Sequence, residues 1–222
     1  MTKQIFVGLA TEGTTDDRFL NSVVRRTFEE IALTECTVDI DIFVHPLKVD
    51  KRGLSFPEYV AKSSSKGISD YGIMALAIHT DADRETYEER IQDKIIPARQ
   101  LLEQLSDEEY CKLLIPVIPV RMIEAWMLAD KELLKSEIGT RKSDHELKID
   151  KDPETMADPK FCIEEAIRIA TADLPNRRNR LSIADLYEIV GDKISIESLK
   201  RLDSYRKFVD EVRKTYQSLK YL

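Results

Sequence analysis

The chain has 222 residues, 34 Lys and Arg against 41 Asp and Glu, a formal net charge of -7, and 42% hydrophobic residues. This length suits one sizeable core with some elaboration, or a main domain with a small second one, in an ordinary soluble globular protein. The longest apolar runs are too short to cross a bilayer and the N-terminal MTKQIFVGLA lacks a cleavable signal pattern, so no membrane association and a cytoplasmic location are expected; the acidic excess argues against binding nucleic acid through the overall field.

Residues 5–10 form an apolar run that reads as a buried strand, ending in Thr11-Glu12-Gly13-Thr14-Thr15-Asp16-Asp17. Gly13 permits a tight turn, and Thr14 with Asp17 three residues later resembles a capping box opening a helix. Leu20, Val24, Phe28 and Ile31 then recur at helical spacing, with Phe19 and Val23 widening the stripe. Glu12 therefore falls in a strand-to-helix turn, where it either belongs to a site or is simply an acid well placed near a helix N-terminus.

Residues 37–47 alternate in part (Val38, Ile40, Ile42, Val44) and predict a strand nearer the sheet edge. A charged loop over 48–55 and a helix over 57–65 follow.

The next stretch, YGIMALAIHTDAD, holds six apolar or small residues, Ile73 to Ile78, between Gly72 and an acidic end. It predicts a short strand buried on both faces inside a parallel sheet. Alternation along an extended chain sends Asp81 and Asp83 the same way, placing two carboxylates side by side where open α/β sheets bind ligands. Their repulsion would be relieved by a divalent cation, although an acidic turn is the plainer alternative. His45 and His79 have no second His or Cys at a metal-ligand spacing and are taken as structural or peripheral to the site.

Residues 84–105 carry a roughly helical pattern containing Pro97, which predicts a kink or two consecutive helices. LLIPVIPV, 113–120, predicts a fourth strand, edge or irregular because of its two prolines. It leads into RMIEAWMLAD, where a helical Glu124 would share its face with Met127 and Leu128. A carboxylate in such surroundings needs a cation, a metal or a hydrogen-bond donor, unless it pairs with Arg121 or reaches the surface.

From 133 to 159 few large apolar residues occur, marking a polar connector and a boundary between 1–135 and 136–222. Beyond it the pattern is helical, with basic clusters Arg177-Arg178-Asn179-Arg180, Lys200-Arg201, Arg206-Lys207 and Arg213-Lys214 that serve either as solvated helix faces or as phosphate contacts. Cys36, Cys111 and Cys162, odd in number and far apart, read as reduced thiols. Seven glycines leave little room for a Gly-rich phosphate loop.

A Glu in the first strand-to-helix turn plus a DxD after a central strand resembles the Toprim domain, the metal-binding module of topoisomerases, primases and OLD-family nucleases. More closely, EGTTDDRFL, HTDADRE and IEAWMLAD resemble a bacterial family of small stand-alone Toprim-like proteins, often associated with an ABC-type ATPase in phage defence. The motifs span residues 5–130, and ADPK (157–160) and YRKF (205–208) extend the likeness into the tail. The resemblance implies an α/β fold with a mostly parallel, Rossmannoid sheet flanked by helices and a helical C-terminal region. It implies Glu12 as metal ligand or general acid or base, Asp81 and Asp83 as ligands of Mg2+ or Mn2+, and Asp16 and Glu124 completing or supporting the coordination. The implied catalytic set is Glu12, Asp81 and Glu124. The activity expected is metal-dependent cleavage of phosphodiesters in DNA or RNA, with Lys160 a candidate phosphate partner. The alternatives are a catalytically inert subunit of an ATPase complex and, less well matched to Glu12, a DxD nucleotide-sugar transferase.

Overall fold

Four apolar runs become the strands of the chain in a computed structural model that describes residues 2–84, 86–172 and 181–222. They are β1 (Lys3–Ala10), β2 (Ile40–Pro46), β3 (Ala75–His79) and β4 (Leu114–Val117). The sheet runs β2-β1-β3-β4 with every pairing parallel. All five residues of β3 are buried, as a strand covered on both faces requires. The partly exposed β2 and the proline-bearing β4 occupy the two edges, where a missing N–H is tolerated.

Alternation divides the apolar side chains between two layers. Ile5, Val7, Leu9, Ala75, Ala77, Ile115 and Val117 pack beneath α1 (Thr14–Glu35), against Phe19, Val23 and Phe28. Ala10, Leu76, Ile78 and Leu114 face the opposite layer, formed by α2 (Phe56–Tyr71), a short α3 (Tyr87–Arg90) and α4 (Ile96–Glu103). The protein is therefore α/β, a parallel sheet flanked by helices, with a helical C-terminal region.

Several local expectations change in the structure. Helix α1 starts without the Thr14 capping box: Gly13 is its N-cap, and Asp17 instead accepts a hydrogen bond from Thr11 Oγ1 at 2.7 Å. Helix α2 runs past residue 65 to Tyr71, because Gly72 in the left-handed region (φ 61°) is the residue that stops it. The expected kink at Pro97 appears as one π-helical turn, Ile91–Ile95, joining α3 to α4.

After β4 come α5 (Ile123–Met127), α6 (Lys131–Ile138), α7 (Pro159–Thr171), α8 (Leu186–Lys193), α9 (Ile196–Leu199) and α10 (Asp203–Ser218). The polar stretch between α6 and α7 is anchored rather than loose, since Leu147 and Ile149 are fully buried. The C-terminal helices share one core with α1 and the sheet. Trp126 of α5 is its hub, meeting Tyr205 of α10 edge-to-face and Phe208 at a tilt, with ring centres 5.1 and 5.9 Å away, its indole N–H donating to Ser204 Oγ at 2.8 Å.

The basic clusters of α9 and α10 are largely occupied by acids: Lys200 pairs with Glu30 and Glu197, Lys207 with Glu88 and Asp203, Arg213 with Glu35 and Asp210. The cluster Arg177-Arg178-Asn179-Arg180 lies outside the described residues. Among the described residues no helix is long and apolar enough to cross a membrane.

Helix α8 crosses α1 at Gly191, where a Cβ would meet Phe19 O at 2.6 Å and Phe19 Cα at 2.9 Å. Both contacts are backbone and cannot rotate away. Gly191→Ala is expected to destabilise the fold by about 1–3 kcal/mol through overpacking, more than alanine's helix propensity of about 1 kcal/mol returns. Urea unfolding reads this directly, and an unchanged or higher midpoint would refute the close approach.

Candidate functional site

From the central strands, β2 lies beyond β1 on one side and β4 beyond β3 on the other, so the strand order reverses between β1 and β3. Open α/β sheets leave a crevice at such a point, outside the carboxyl ends of the strands. Four of the five acidic residues singled out above gather there.

Glu12 follows β1. The β1–β3 register pairs Ala10 with Ile78, so Glu12 lies level with Thr80, and Thr80 Oγ1 donates to Glu12 Oε1 at 2.8 Å. Tyr59 of α2 steadies the same loop by donating its hydroxyl to Thr11 O at 2.8 Å. Asp81 follows β3 and shares a face with His79 two residues earlier. Its Oδ1 is 3.1 Å from His79 Nε2 and accepts the Ile123 N–H, also at 3.1 Å, at the start of α5. Asp16 comes down from the first turn of α1 with its Oδ2 3.6 Å from His79 Nδ1. His79 itself is fully buried, and Nδ1 is left without a hydrogen bond.

Glu124 enters from α5, where every residue is buried and it is only 5% exposed itself. The compensating donor is Tyr187 of α8, whose hydroxyl donates to Glu124 Oε1. Arg121 takes no part in that contact.

Asp83 departs from expectation. Alternation ends after Ala82, because Asp83 adopts φ 55° and leaves the extended chain. Its carboxylate pairs with Arg90 Nη2 at 3.2 Å and is 67% exposed, so Asp81 and Asp83 do not stand side by side.

The acids and the imidazole act on one another. Burial raises the carboxyl of Asp16 above its ordinary value, and Asp81 pushes it further while His79 opposes. Burial likewise raises Glu124, against the Tyr187 hydrogen bond, with Asp81 adding to the rise and Lys160 of α7 working against it. For His79, burial is the largest influence and pulls downward. The hydrogen bond to Asp81 and the charges of Asp81, Asp16 and Glu12 outweigh it and hold the imidazole above its usual value. Burial, the bond to Glu124 and the charges of Glu124, Asp16 and Asp81 all raise Tyr187, which stays a neutral donor. Glu12, Asp16, Asp81 and Glu124 thus belong to one electrostatic neighbourhood, with Lys160 at its border.

Sequence reasoning read His79 as structural or peripheral to the site and left Tyr187 out. His79 was legible by parity, since a strand that aims Asp81 at the site aims His79 the same way. Tyr187 left no local signal, being 63 residues from the acid it serves.

The donor chemistry suits a hard divalent cation: carboxylate oxygens predominate, and the orphaned His79 Nδ1 faces one of them. Among the described residues, no group of three or more His, Cys, Asp or Glu side chains is placed to hold a metal ion. Mg2+ is usually held by one or two carboxylates, with water and substrate phosphate filling its other positions, a mode that requires no such group of three.

Comparison of the chain with family models, curated proteins and solved structures finds no match.

Tyr187→Phe removes the hydroxyl and leaves Glu124 buried without its donor. A loss of about 1–3 kcal/mol is expected, read from chemical unfolding of the two proteins side by side. Equal stability would mean that Glu124 finds another partner or reaches water.

Proposed function

We propose that the acidic crevice is a divalent-cation site for cleavage of phosphodiester bonds in nucleic acid. The observation that carries this reading is the convergence of Glu12, Asp16, Asp81 and Glu124 at the strand-order reversal, with their mutual repulsion only partly offset by His79 and Lys160. Carboxylates that act on one another in a partly buried crevice repel, and a cation shared between them relieves the cost.

Glu12 and Asp81 would hold the ion, with Asp16 beside them, and Glu124 would support the set from α5. Bound there, Mg2+ or Mn2+ supplies charge neutralisation for phosphoryl oxygens and a more acidic water. The chain's own residues do the positioning. His79 and the Ile123 N–H hold Asp81 through one oxygen, leaving its other oxygen for a ligand. Thr80 does the same for Glu12, and Tyr187 for Glu124. Lys160, electrostatically coupled to Glu124, would offset charge on the phosphate. Asp83 stays with Arg90 and is left out of the set.

A second reading, an inert interaction subunit of an ATPase complex, is favoured by the lack of a three-ligand group among the described residues and by the ion-paired C-terminal basic clusters.

Calorimetric titration with Mg2+ and Mn2+ separates the two. Wild type should bind and Asp81→Asn should lose binding while keeping its circular dichroism spectrum. If wild type binds neither ion, with or without an oligonucleotide present, the metal-dependent reading fails and the inert one takes its place.

A further inference from the structure

The acidic crevice is bordered by cations that the net charge conceals. The segments following β2, β3 and β4 carry Lys48 and Lys51, Arg84, and Arg121 respectively. Lys51 is the best defined. It opens a tight turn closed by Leu54 N–H to Lys51 O at 3.1 Å, with Gly53 in the left-handed region at φ 75° that the turn requires. The neighbouring Arg52 is held by Asp50, with Nη2 2.7 Å from Oδ2. Lys51 is exposed, and its ammonium crosses from the β2 side of the sheet to donate to the main-chain carbonyl of Glu12. That partner is neutral, so the bond fixes the ammonium beside the acidic site without cancelling its charge. Lys200 after α9 and Arg213 and Lys214 of α10 differ, being matched by carboxylates.

The strand order sets these groups in a row. Along the carboxyl edge come Lys51 from the segment after β2, Glu12 after β1, Asp81 after β3 and Glu124 after β4. Adjacent strands lie about 4.8 Å apart, so the row from β2 to β4 covers about 14 Å. A nucleic-acid strand carries one phosphate per roughly 3.4 Å of stacked rise. Several consecutive phosphates therefore fit along the edge, with the Lys51 ammonium against the β2 side of the carboxylates.

We propose that a nucleic-acid strand lies along the carboxyl edge of the sheet in the direction β2 to β4, with Lys51 binding a backbone phosphate next to the one at Glu12 and Asp81. The inference rests on the phosphodiester reading of the crevice and adds the path of the substrate and a residue that holds it. Lys51 acts as a point charge on phosphate, so the contact carries no base preference.

The test is fluorescence anisotropy with a labelled single-stranded oligodeoxynucleotide, its duplex, and RNA of the same sequence. Each is titrated in Ca2+, which takes the same kind of oxygen ligands, over a series of salt concentrations. Loss of one phosphate contact should lower the slope of log affinity against log salt by about 1 in Lys51→Ala. Lys51→Arg should keep the slope. So should Lys66→Ala, which removes a charge paired with Asp70 on α2. Which probes show the effect distinguishes DNA from RNA and single strand from duplex. A wild-type slope in Lys51→Ala, with wild type still binding, overturns the path and leaves the acidic site standing. Failure of wild type to bind any probe overturns both.

Discussion

A fully buried imidazole between two carboxylates is the constraint on which the crevice depends. His79 ends the most buried strand, and there its ring meets Asp81 on one nitrogen and Asp16 on the other. An ionisable ring in that position is tolerable only if charge or hydrogen bonds answer it. Asp81 answers through an oxygen that also accepts the Ile123 N–H, so a single atom joins β3 to the first residue of α5. Asp16 answers from α1. The orientation of both acids thus follows from the burial of a group between them, and a ligand in the crevice would meet carboxylates already held in place.

The same logic explains why the C-terminal helices belong to the site and are not an appendage. Helix α5 has no exposed face, so Glu124 can be carried there only if other helices enclose it and supply a donor. Trp126 brings α10 against α5, and α8 packs on α1 closely enough that only glycine fits at position 191. That packing puts the Tyr187 hydroxyl on Glu124. Core energetics and site chemistry therefore share the same side chains.

Strand existence was legible because apolar runs ending in turn residues leave few alternatives, and the strand-end rule placed Glu12, Asp81 and Glu124 at the carboxyl edge of the sheet, where the structure has them. The failures have local causes. Asp83 was placed beside Asp81 by extending alternation to a residue that itself takes a positive φ, which no composition signals. The capping box at Thr14 lost to Thr11, whose hydroxyl takes Asp17 from upstream. The stretch between α6 and α7 looked like a connector because it is sparse in apolar residues, yet the buried Leu147 and Ile149 anchor it to the core. His79 was set aside on spacing alone, where its parity with Asp81 carried the information. Tyr187 was out of reach of local reasoning, since its role exists only once helices distant in sequence have packed.

Net charge proved the least informative sequence quantity for this edge of the molecule. At physiological ionic strength exposed charges are screened over about 8 Å, so a ligand in the crevice responds to nearby groups and scarcely to the total of -7. What matters locally is which charges are already answered. In α10 the cations Arg206, Lys207, Arg213 and Lys214 are matched by carboxylates, as with Lys214 and Glu211 at 2.5 Å, so a basic count there offers little to an incoming anion. At the carboxyl edge the situation is reversed. The carboxylates keep part of their repulsion, Lys51 spends its ammonium on a neutral carbonyl, and Lys160 reaches Glu124 only through space. Carboxylates grouped at one sheet edge with unanswered cations beside them suit a ligand that carries its own anions and recruits cations with them. A phosphodiester backbone with a divalent ion has that character.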